Sequence, residues 1–245
     1  MNRERQLTQA FLALTDTYTP EFDPLHLFHH LVHACHDLLD TDAAAVMIAD
    51  ARGSLRTMAS TNEEAAFTEL LQTQSGHGPC MDSYHTAQPV SVPDITTEHT
   101  RWPHLATAMT HTGYHALQAI PLRLQKRPLG TLTLLRRAPG RLPDDDTHLA
   151  QALADSAALA LMHWTTEPTP THDVITRVQG ALAAKATLEI AKGMIAQHAD
   201  TTITQAAHLL TAYAHHHHLR LTDTVQALVT RTLPPDTITR ARADG

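Results

Sequence analysis

The character of the chain changes near residue 165, and this change limits the folds that are open to it. Residues 43–136 contain short apolar runs typical of β-strands, whereas residues 172–235 show helical periodicity and no strand-like run. Residues 165–171 (TTEPTPT) are polar and carry two prolines, as in a linker. We therefore predict an α+β domain over 1–164, a linker over 165–171, an all-α domain over 172–235 and a tail over 236–245.

The strand-like runs of the first domain predict two hairpins. Residues 43–49 and 54–59 flank a turn at Arg52-Gly53, and residues 116–124 and 129–136 flank a turn at 125–128. Pro89 and Pro93 bound a short extended segment, which places that segment near a sheet edge. Helical spacing surrounds these runs, and one such helix, over 62–73, carries Phe67, Leu70 and Leu71. We expect an antiparallel sheet with helices packed largely on one face.

Composition excludes several classes of protein. Hydrophobic residues make up 42% of the chain and charged residues 18%, which is enough to bury a core and excludes a disordered chain. No apolar run approaches the roughly 18 residues that span a bilayer, and the polar N-terminus has no signal-peptide core. Two cysteines, Cys35 and Cys80, are too few for a disulfide framework or a multi-cysteine zinc site. We expect a cytoplasmic protein without membrane contact.

The second domain reads as three helices, of which the first is much longer than the others. Apolar residues recur at helical spacing from Val174 to Ile195. Thr202 and Gln205 have the spacing of a capping box, which predicts the start of the second helix. Thr222 can cap a third helix, which should stop at Pro234-Pro235.

Charge is distributed unevenly between the two domains. Residues 1–170 carry a net charge of −8, whereas residues 171–245 carry +1. Because an acidic surface repels phosphates, any contact with nucleic acid must come from the second domain. A charge of +1 is small for that purpose, so a dimer, which doubles the basic residues, is the more reasonable binding unit.

Five short motifs follow one another in the first domain: Gly78-Pro79-Cys80, Gln88-Pro89-Val90, Val92-Pro93-Asp94, Arg101-Trp102-Pro103 and Ile120-Pro121-Leu122. In this order they resemble the motifs of a GAF sensor domain, over roughly residues 5–163. The sub-type is similar to the actinobacterial one that precedes RNA-binding tails. The resemblance implies a domain that senses a small molecule or a redox state.

The second domain carries a further set of motif residues: Ala181-Leu182, Lys185, Leu188-Glu189, Ala191-Lys192-Gly193, Ala206, Leu209, Tyr213-Ala214, Arg220-Leu221 and Val225. They resemble the ANTAR family of antitermination domains, over about residues 172–233. The resemblance implies a three-helix fold, dimerisation and binding of paired RNA stem-loops, so that a downstream terminator cannot form. The chain departs from the family pattern at Lys185, usually arginine, at Ala207, often aromatic, at Thr211, usually basic, and at Gln226, usually alanine.

Lys185 and Lys192 lie seven residues apart, so they share one helix face. Spacing alone favours a solvated face of an amphipathic helix, whereas the ANTAR resemblance favours RNA contact. Gly193 costs about 1 kcal/mol relative to alanine in a helix interior, which indicates that a helix partner or the RNA backbone approaches closely there. We predict that the RNA-binding residues are Lys185, Lys192, Gly193, Arg220 and Arg231.

Four residues of the first domain are candidates for ligand sensing: Cys80, Trp102, Tyr114 and His115. Cys80 follows a glycine-punctuated loop and precedes a predicted helix, whose N-terminus would lower the thiol pKa. A buried structural cysteine is the alternative, because free cysteines are among the most buried residues. Packing in the core or in a lid is the alternative for the other three residues.

The sequence contains no nucleotide-binding glycine loop, zinc-protease helix motif or nucleophile elbow. We predict no enzymatic activity, cofactor or metal, and we interpret His215–His218 as an exposed helix end and loop. The predicted function is a signal-responsive transcription antiterminator whose tail binds stem-loop RNA as a homodimer. Two alternatives stay open: the tail serves dimerisation or protein interaction, or it binds DNA as a transcriptional regulator.

Overall fold

A computed structural model describes residues 3–15, 22–163 and 174–240. The chain divides into two compact units. One comprises Met1–Thr17 and Leu27–Gln179 and contains every strand of the described residues, so we call it the sheet unit. The other comprises Tyr18–His26 and Gly180–Gly245, and we call it the helical unit. The predicted linker over 165–171 lies outside the described residues.

In the sheet unit, helices lie before, between and after the two hairpins. Its elements are α1 (Arg3–Thr15), α2 (Pro24–Leu38), β1 (Ala43–Ala49), β2 (Leu55–Ser60), α3 (Glu63–Ser75), α4 (Pro79–Thr86), β3 (Val90–Val92), a 3₁₀ helix (Ile95–Glu98), α5 (Pro103–Thr112), β4 (Ala116–Leu124), β5 (Arg127–Arg136) and α6 (Asp144–His163). The first three residues of α2 belong to the helical unit by their contacts.

The five strands form one antiparallel sheet in the order β2-β1-β5-β4-β3. Both predicted hairpins are present, as β1–β2 and β4–β5, and the proline-bounded strand β3 lies at the sheet edge as expected. The β4–β5 turn is tighter than predicted, because pairing continues to Leu124 and Arg127. Gln125 makes this possible by adopting a left-handed conformation, with φ of 58°.

Helices cover both faces of the sheet, not largely one face as expected. Every residue of β1 is buried, which requires a layer on each side. Odd-numbered residues of β1, such as Ala45 and Met47, join a core with side chains of α3, α4 and α5. Helix α6 packs against β4. There, Gln151 Nε2 donates a hydrogen bond to the Pro121 carbonyl at 3.0 Å.

In the described C-terminal stretch 174–240, the helical unit is built from α7 (Val174–Ala199), α8 (Ile203–His216), α9 (Leu221–Val229) and α10 (Pro235–Arg240). The first six residues of α7 belong to the sheet unit by their contacts. The capping box at Thr202 and Gln205 is present as predicted. α10 occupies the segment expected to be a tail, because Ile238 is buried in the core of this unit.

Residues from the start of the chain complete the helical unit. Leu25 packs in the same core as Ile195, Leu210 and Val225. Asp23 is buried, and its Oδ1 caps α2 by accepting a hydrogen bond from Leu25 N at 2.8 Å. Its Oδ2 accepts from Thr222 N at 2.6 Å, in the first turn of α9. The sequence predicted Thr222 as the cap of this helix, but Arg220 occupies the N-cap position, and the Thr222 N–H is received by a carboxylate 199 residues away in sequence.

Candidate functional site

The two lysines predicted to bind RNA both contact one acidic residue on α7. Lys185 Nζ lies 2.6 Å from Glu189 Oε1, and Lys192 Nζ lies 2.6 Å from Glu189 Oε2. Burial disfavours ionisation of Glu189, but its hydrogen bonds and charge attraction with both lysines hold its pKa below the ordinary value. The lysine side chains are only 25% and 15% exposed, so both ammonium groups are directed at this carboxylate.

Gly193 follows Lys192 on α7 and faces open space. A Cβ built at this residue meets no atom within 4 Å among the described residues. Packing inside the described chain therefore does not require a glycine here, and of the two reasons that the sequence offered, only an approach from outside the chain is left.

The two predicted arginines lie apart from the lysine pair in their interactions. Arg220 precedes α9, and its Nε donates to Asp223 Oδ2 at 2.8 Å, one turn into the helix. Arg231 follows α9 with a φ of 62° and is exposed. Among the described residues, neither arginine shares the acidic partner of the lysine pair, because Lys185 and Lys192 contact Glu189 whereas Arg220 contacts Asp223.

The histidine run at the end of α8 is exposed, as the sequence suggested. The ring of His217 lies 4.3 Å from that of Tyr213, centroid to centroid. Within the described part of the chain, no group of three or more His, Cys, Asp or Glu side chains is arranged to hold a metal ion.

In the sheet unit, Cys80 is fully buried at the start of α4 and belongs to a polar cluster that we define as Glu69, Gln72, Cys80 and Thr133. The Cys80 thiol lies 2.9 Å from Thr133 Oγ1 and 3.8 Å from Glu69 Oε1, and the Cys80 N–H donates to Gln72 Oε1 at 3.1 Å. Burial and the charge of Glu69 raise the pKa of Cys80 well above its ordinary value. This corrects the expectation that the helix N-terminus lowers it, and it agrees with a buried cysteine that is not a thiolate.

Sequence reasoning missed Glu69 and Gln72, because apolar spacing drew attention to other residues of α3. Phe67 is 47% exposed, whereas Glu69 and Gln72 are fully buried between α3, α4 and the sheet. Burial raises the pKa of Glu69 to about 7, against hydrogen bonds from Thr133 and Cys80 that lower it. The sequence did contain a sign that these two side chains share one helix face: Glu69 and Gln72 are three residues apart, just before a loop with two glycines.

Several polar atoms in and beside the polar cluster have no hydrogen-bond partner among the described residues. They are Glu69 Oε2, Gln72 Nε2, Ser83 Oγ and Thr131 Oγ1. Ser83 lies one turn after Cys80 on α4, and Thr131 lies two residues before Thr133 on β5, so both belong to the same layer. Buried polar atoms are nearly always hydrogen-bonded, so these four are donors and acceptors whose partners, a water or another polar group, lie outside the described residues.

The other predicted sensing residues are part of the core. Trp102 and Tyr114 pack in the same hydrophobic cluster as Cys80. Tyr114 Oη accepts a hydrogen bond from Asn62 Nδ2 at 2.9 Å, and the Arg137 guanidinium lies 5.0 Å from the centre of its ring. His115 is half-buried and pairs through its backbone with Ile95 and Arg136. The structure thus brings Cys80, Trp102 and Tyr114 together and leaves His115 outside their cluster.

A family model described as "GAF domain" matches residues 23–161, which is more than half of the chain. The chain belongs to the GAF domain family. The match includes all five strands and the whole polar cluster, so the family resemblance predicted from short motifs is confirmed for this part.

Solved GAF domains share the fold. The GAF domain from a phosphoenolpyruvate-protein phosphotransferase of Coxiella burnetii is 20% identical, with a TM-score of 0.51 over 66% of this chain and 94% of that one. The corresponding GAF domain from Acinetobacter is 13% identical, with a TM-score of 0.50 over 75% and 97%. No curated protein is significantly similar in sequence. At these identities the structures establish the GAF fold and nothing about a ligand.

On the surface of the sheet unit, an open groove of about 390 Å³ lies between α1 and α2. His29, His30 and His33 line it together with Asp37, and none of the four predicted sensing residues does. No helix among the described residues is long and apolar enough to cross a membrane.

Proposed function

We propose that this protein is a cytoplasmic, non-enzymatic transcription antiterminator, in which the GAF domain senses a small molecule and the C-terminal helices bind stem-loop RNA as a homodimer. Membership of the GAF family supports the sensing half. The arrangement of Lys185 and Lys192, both directed at one anionic group on α7, is the single observation that supports the RNA-binding half most. The ANTAR resemblance of residues 172–233 names the reaction that this binding controls.

Within the GAF domain, the polar cluster supports a small molecule as the signal, in preference to a redox state. A reactive thiol needs a lowered pKa and access to solvent, and Cys80 has neither. The unpartnered atoms beside it can instead hydrogen-bond a polar group. Ligand binding there would shift the population between two states that hold RNA with different affinity.

The test of RNA binding uses the full chain with stem-loop RNA and, separately, with duplex DNA, each at two salt concentrations. We expect RNA binding that weakens steeply with salt, because phosphate contacts release counterions. Lys185→Ala and Lys192→Ala should each weaken it by roughly three- to tenfold. Lys126→Ala is the matched control, since Lys126 is the one other lysine of the chain and is exposed in the β4–β5 turn.

Equal affinity of the wild type and both α7 variants would show that the RNA-binding site is misassigned. Tighter binding of duplex DNA than of RNA would favour a DNA-binding regulator instead.

A second candidate function, in which the helical unit is an interaction module, is favoured by its exposed apolar residues. Ile190 on α7 is 54% exposed and Ile203 on α8 is 50% exposed. Thr211, at a position where ANTAR domains usually have a basic residue, is exposed and uncharged. If the chain binds neither RNA nor DNA at low salt, this function replaces the first.

A further inference from the structure

We propose that Lys185 and Lys192 form a site for one phosphate group, and that the Glu189 carboxylate occupies this site until a phosphate displaces it. The inference rests on the proposed RNA-binding function and deepens it. It assigns to Glu189 the role of an internal competitor, which neither the family match nor the sequence comparison gives it.

The geometry is that of two cations on one oxyanion. Glu189 lies four residues after Lys185 and three before Lys192, so the three side chains stack along one face of α7. Each carboxylate oxygen receives one ammonium group at 2.6 Å. A phosphodiester also presents two adjacent anionic oxygens, so it can take the same two ammonium groups with little movement of the lysines.

The charge balance of α7 makes the carboxylate a real competitor. Glu189 is the one acidic residue between Val174 and Ala199, and both lysines favour its ionised form by lowering its pKa. With Glu189 in place, the three groups together carry a charge of only +1. Without it, the same face carries two positive charges and attracts an incoming phosphate more strongly.

The competitor is also weak enough to be displaced. Glu189 has a side-chain exposure of 46%, and both ion pairs are local contacts within one helix. Charge pairs at i,i+3 and i,i+4 spacing within one helix contribute little net free energy. A phosphate in an RNA strand brings further contacts that Glu189 lacks, so RNA displaces the carboxylate while the folded helix stays intact.

The first experiment measures the affinity of the full chain for stem-loop RNA at fixed salt, comparing the wild type with Glu189→Gln. We expect the variant to bind roughly three- to tenfold more tightly, since glutamine keeps the size of the side chain and removes its charge. Asp200→Asn is the matched control. It removes one negative charge just after α7, from a residue for which the structure shows no ion pair among the described residues, and asparagine tolerates its φ of 48°.

The gain must depend on the lysines. Adding Lys192→Ala to Glu189→Gln should abolish it, whereas a general effect of net charge would persist. If Glu189→Gln and Asp200→Asn raise the affinity equally, or if Glu189→Gln lowers it, the competitor role is overturned.

The second experiment uses inorganic phosphate and follows the Lys185 and Lys192 side-chain ammonium signals by NMR. In Glu189→Gln these signals should shift at severalfold lower phosphate concentration than in the wild type. This result distinguishes the two proposals. A phosphate response with no RNA binding would reject the proposed function and keep the site, whereas RNA binding with identical phosphate responses would keep the function and reject the role of Glu189.

Discussion

At Gly193, the requirements of folding and of RNA binding are expected to differ most clearly. Its Cβ position is empty, so alanine fits there, and alanine is the better helix former by about 1 kcal/mol. We predict that Gly193→Ala raises the free energy of unfolding of the helical unit by about that amount and weakens stem-loop RNA binding. Chemical denaturation and RNA titration of the same variant measure the two effects.

A stable variant with unchanged RNA affinity would show that the glycine serves no RNA contact. Lost stability would instead reveal a close neighbour that alanine displaces.

Glu69 makes the stability of the GAF domain depend on pH. Its folded-state pKa is raised by burial from 4.5 to about 7, so the folded protein holds a proton that the unfolded chain releases between these values. The stabilising contribution is complete below pH 4.5 and is lost as pH rises toward 7. We predict that the free energy of unfolding of the wild type falls over this range relative to Glu69→Gln, by on the order of 3 kcal/mol.

Urea denaturation at a series of pH values measures this difference, because glutamine has the shape of the protonated acid and does not titrate. If the free energies of unfolding of the wild type and Glu69→Gln keep a constant difference from pH 4.5 to 7, Glu69 is not buried as a protonated acid. Above pH 7 the difference should level off.

At the scale of single elements, Asp23 joins the first turns of two helices. Both of its oxygens accept backbone N–H groups, one from Leu25 and one from Thr222, and all of these atoms are buried. Asp23→Ala leaves two buried donors without a partner, so we predict a loss of about 2–4 kcal/mol in the free energy of unfolding. Thermal or urea denaturation of the full chain provides the measurement.

Asp94→Ala is the control, because Asp94 also caps a helix turn, through Thr96, but does so at the surface and within one local segment. A loss as small as that of the control would mean that Asp23 contributes nothing beyond its local cap. Asp23→Asn should fall between, since the amide keeps one accepting oxygen.

The elements that the sequence predicts best are those with local signals. The hairpins are set by apolar runs and turns, and the start of α8 is set by Thr202 and Gln205, so each could be located from a few neighbouring residues. The buried face of α3 could not, because Glu69 and Gln72 are buried by partners on α4 and β5 that periodicity does not reveal. The same reason explains why the partner of Thr222 N was missed.

For the candidate site, sequence reasoning singled out both lysines and Cys80 but not the residues that they contact. Helical spacing places Lys185 and Lys192 on one face, and it equally places Glu189 between them, yet spacing does not tell whether the three side chains meet. The pKa of Cys80 was predicted in the wrong direction, because burial and Glu69 outweigh the helix terminus.

For the whole molecule, the uneven charge governs how nucleic acid binding responds to salt. The basic residues of the C-terminal part must act against a front end that carries −8. We predict that log K for stem-loop RNA falls linearly with log salt concentration, and that Lys192→Ala makes the slope shallower by about 1 per copy of the chain. Fluorescence titrations from low to physiological salt measure it, and an unchanged slope would mean that Lys192 touches no phosphate.

Asp23 and Leu25 lie at the N-terminal end of the GAF match, whereas the helices that they support follow the match in sequence. A fragment that starts at residue 172 therefore lacks a wall of its own core and a cap of its own helix. If such a C-terminal segment were fused at the linker to another regulator, it would form a less stable domain, unless residues 18–26 were included as well. The positions at which this protein can be truncated or fused therefore depend on residues 18–26 as well as on the linker, although the two segments are far apart in sequence.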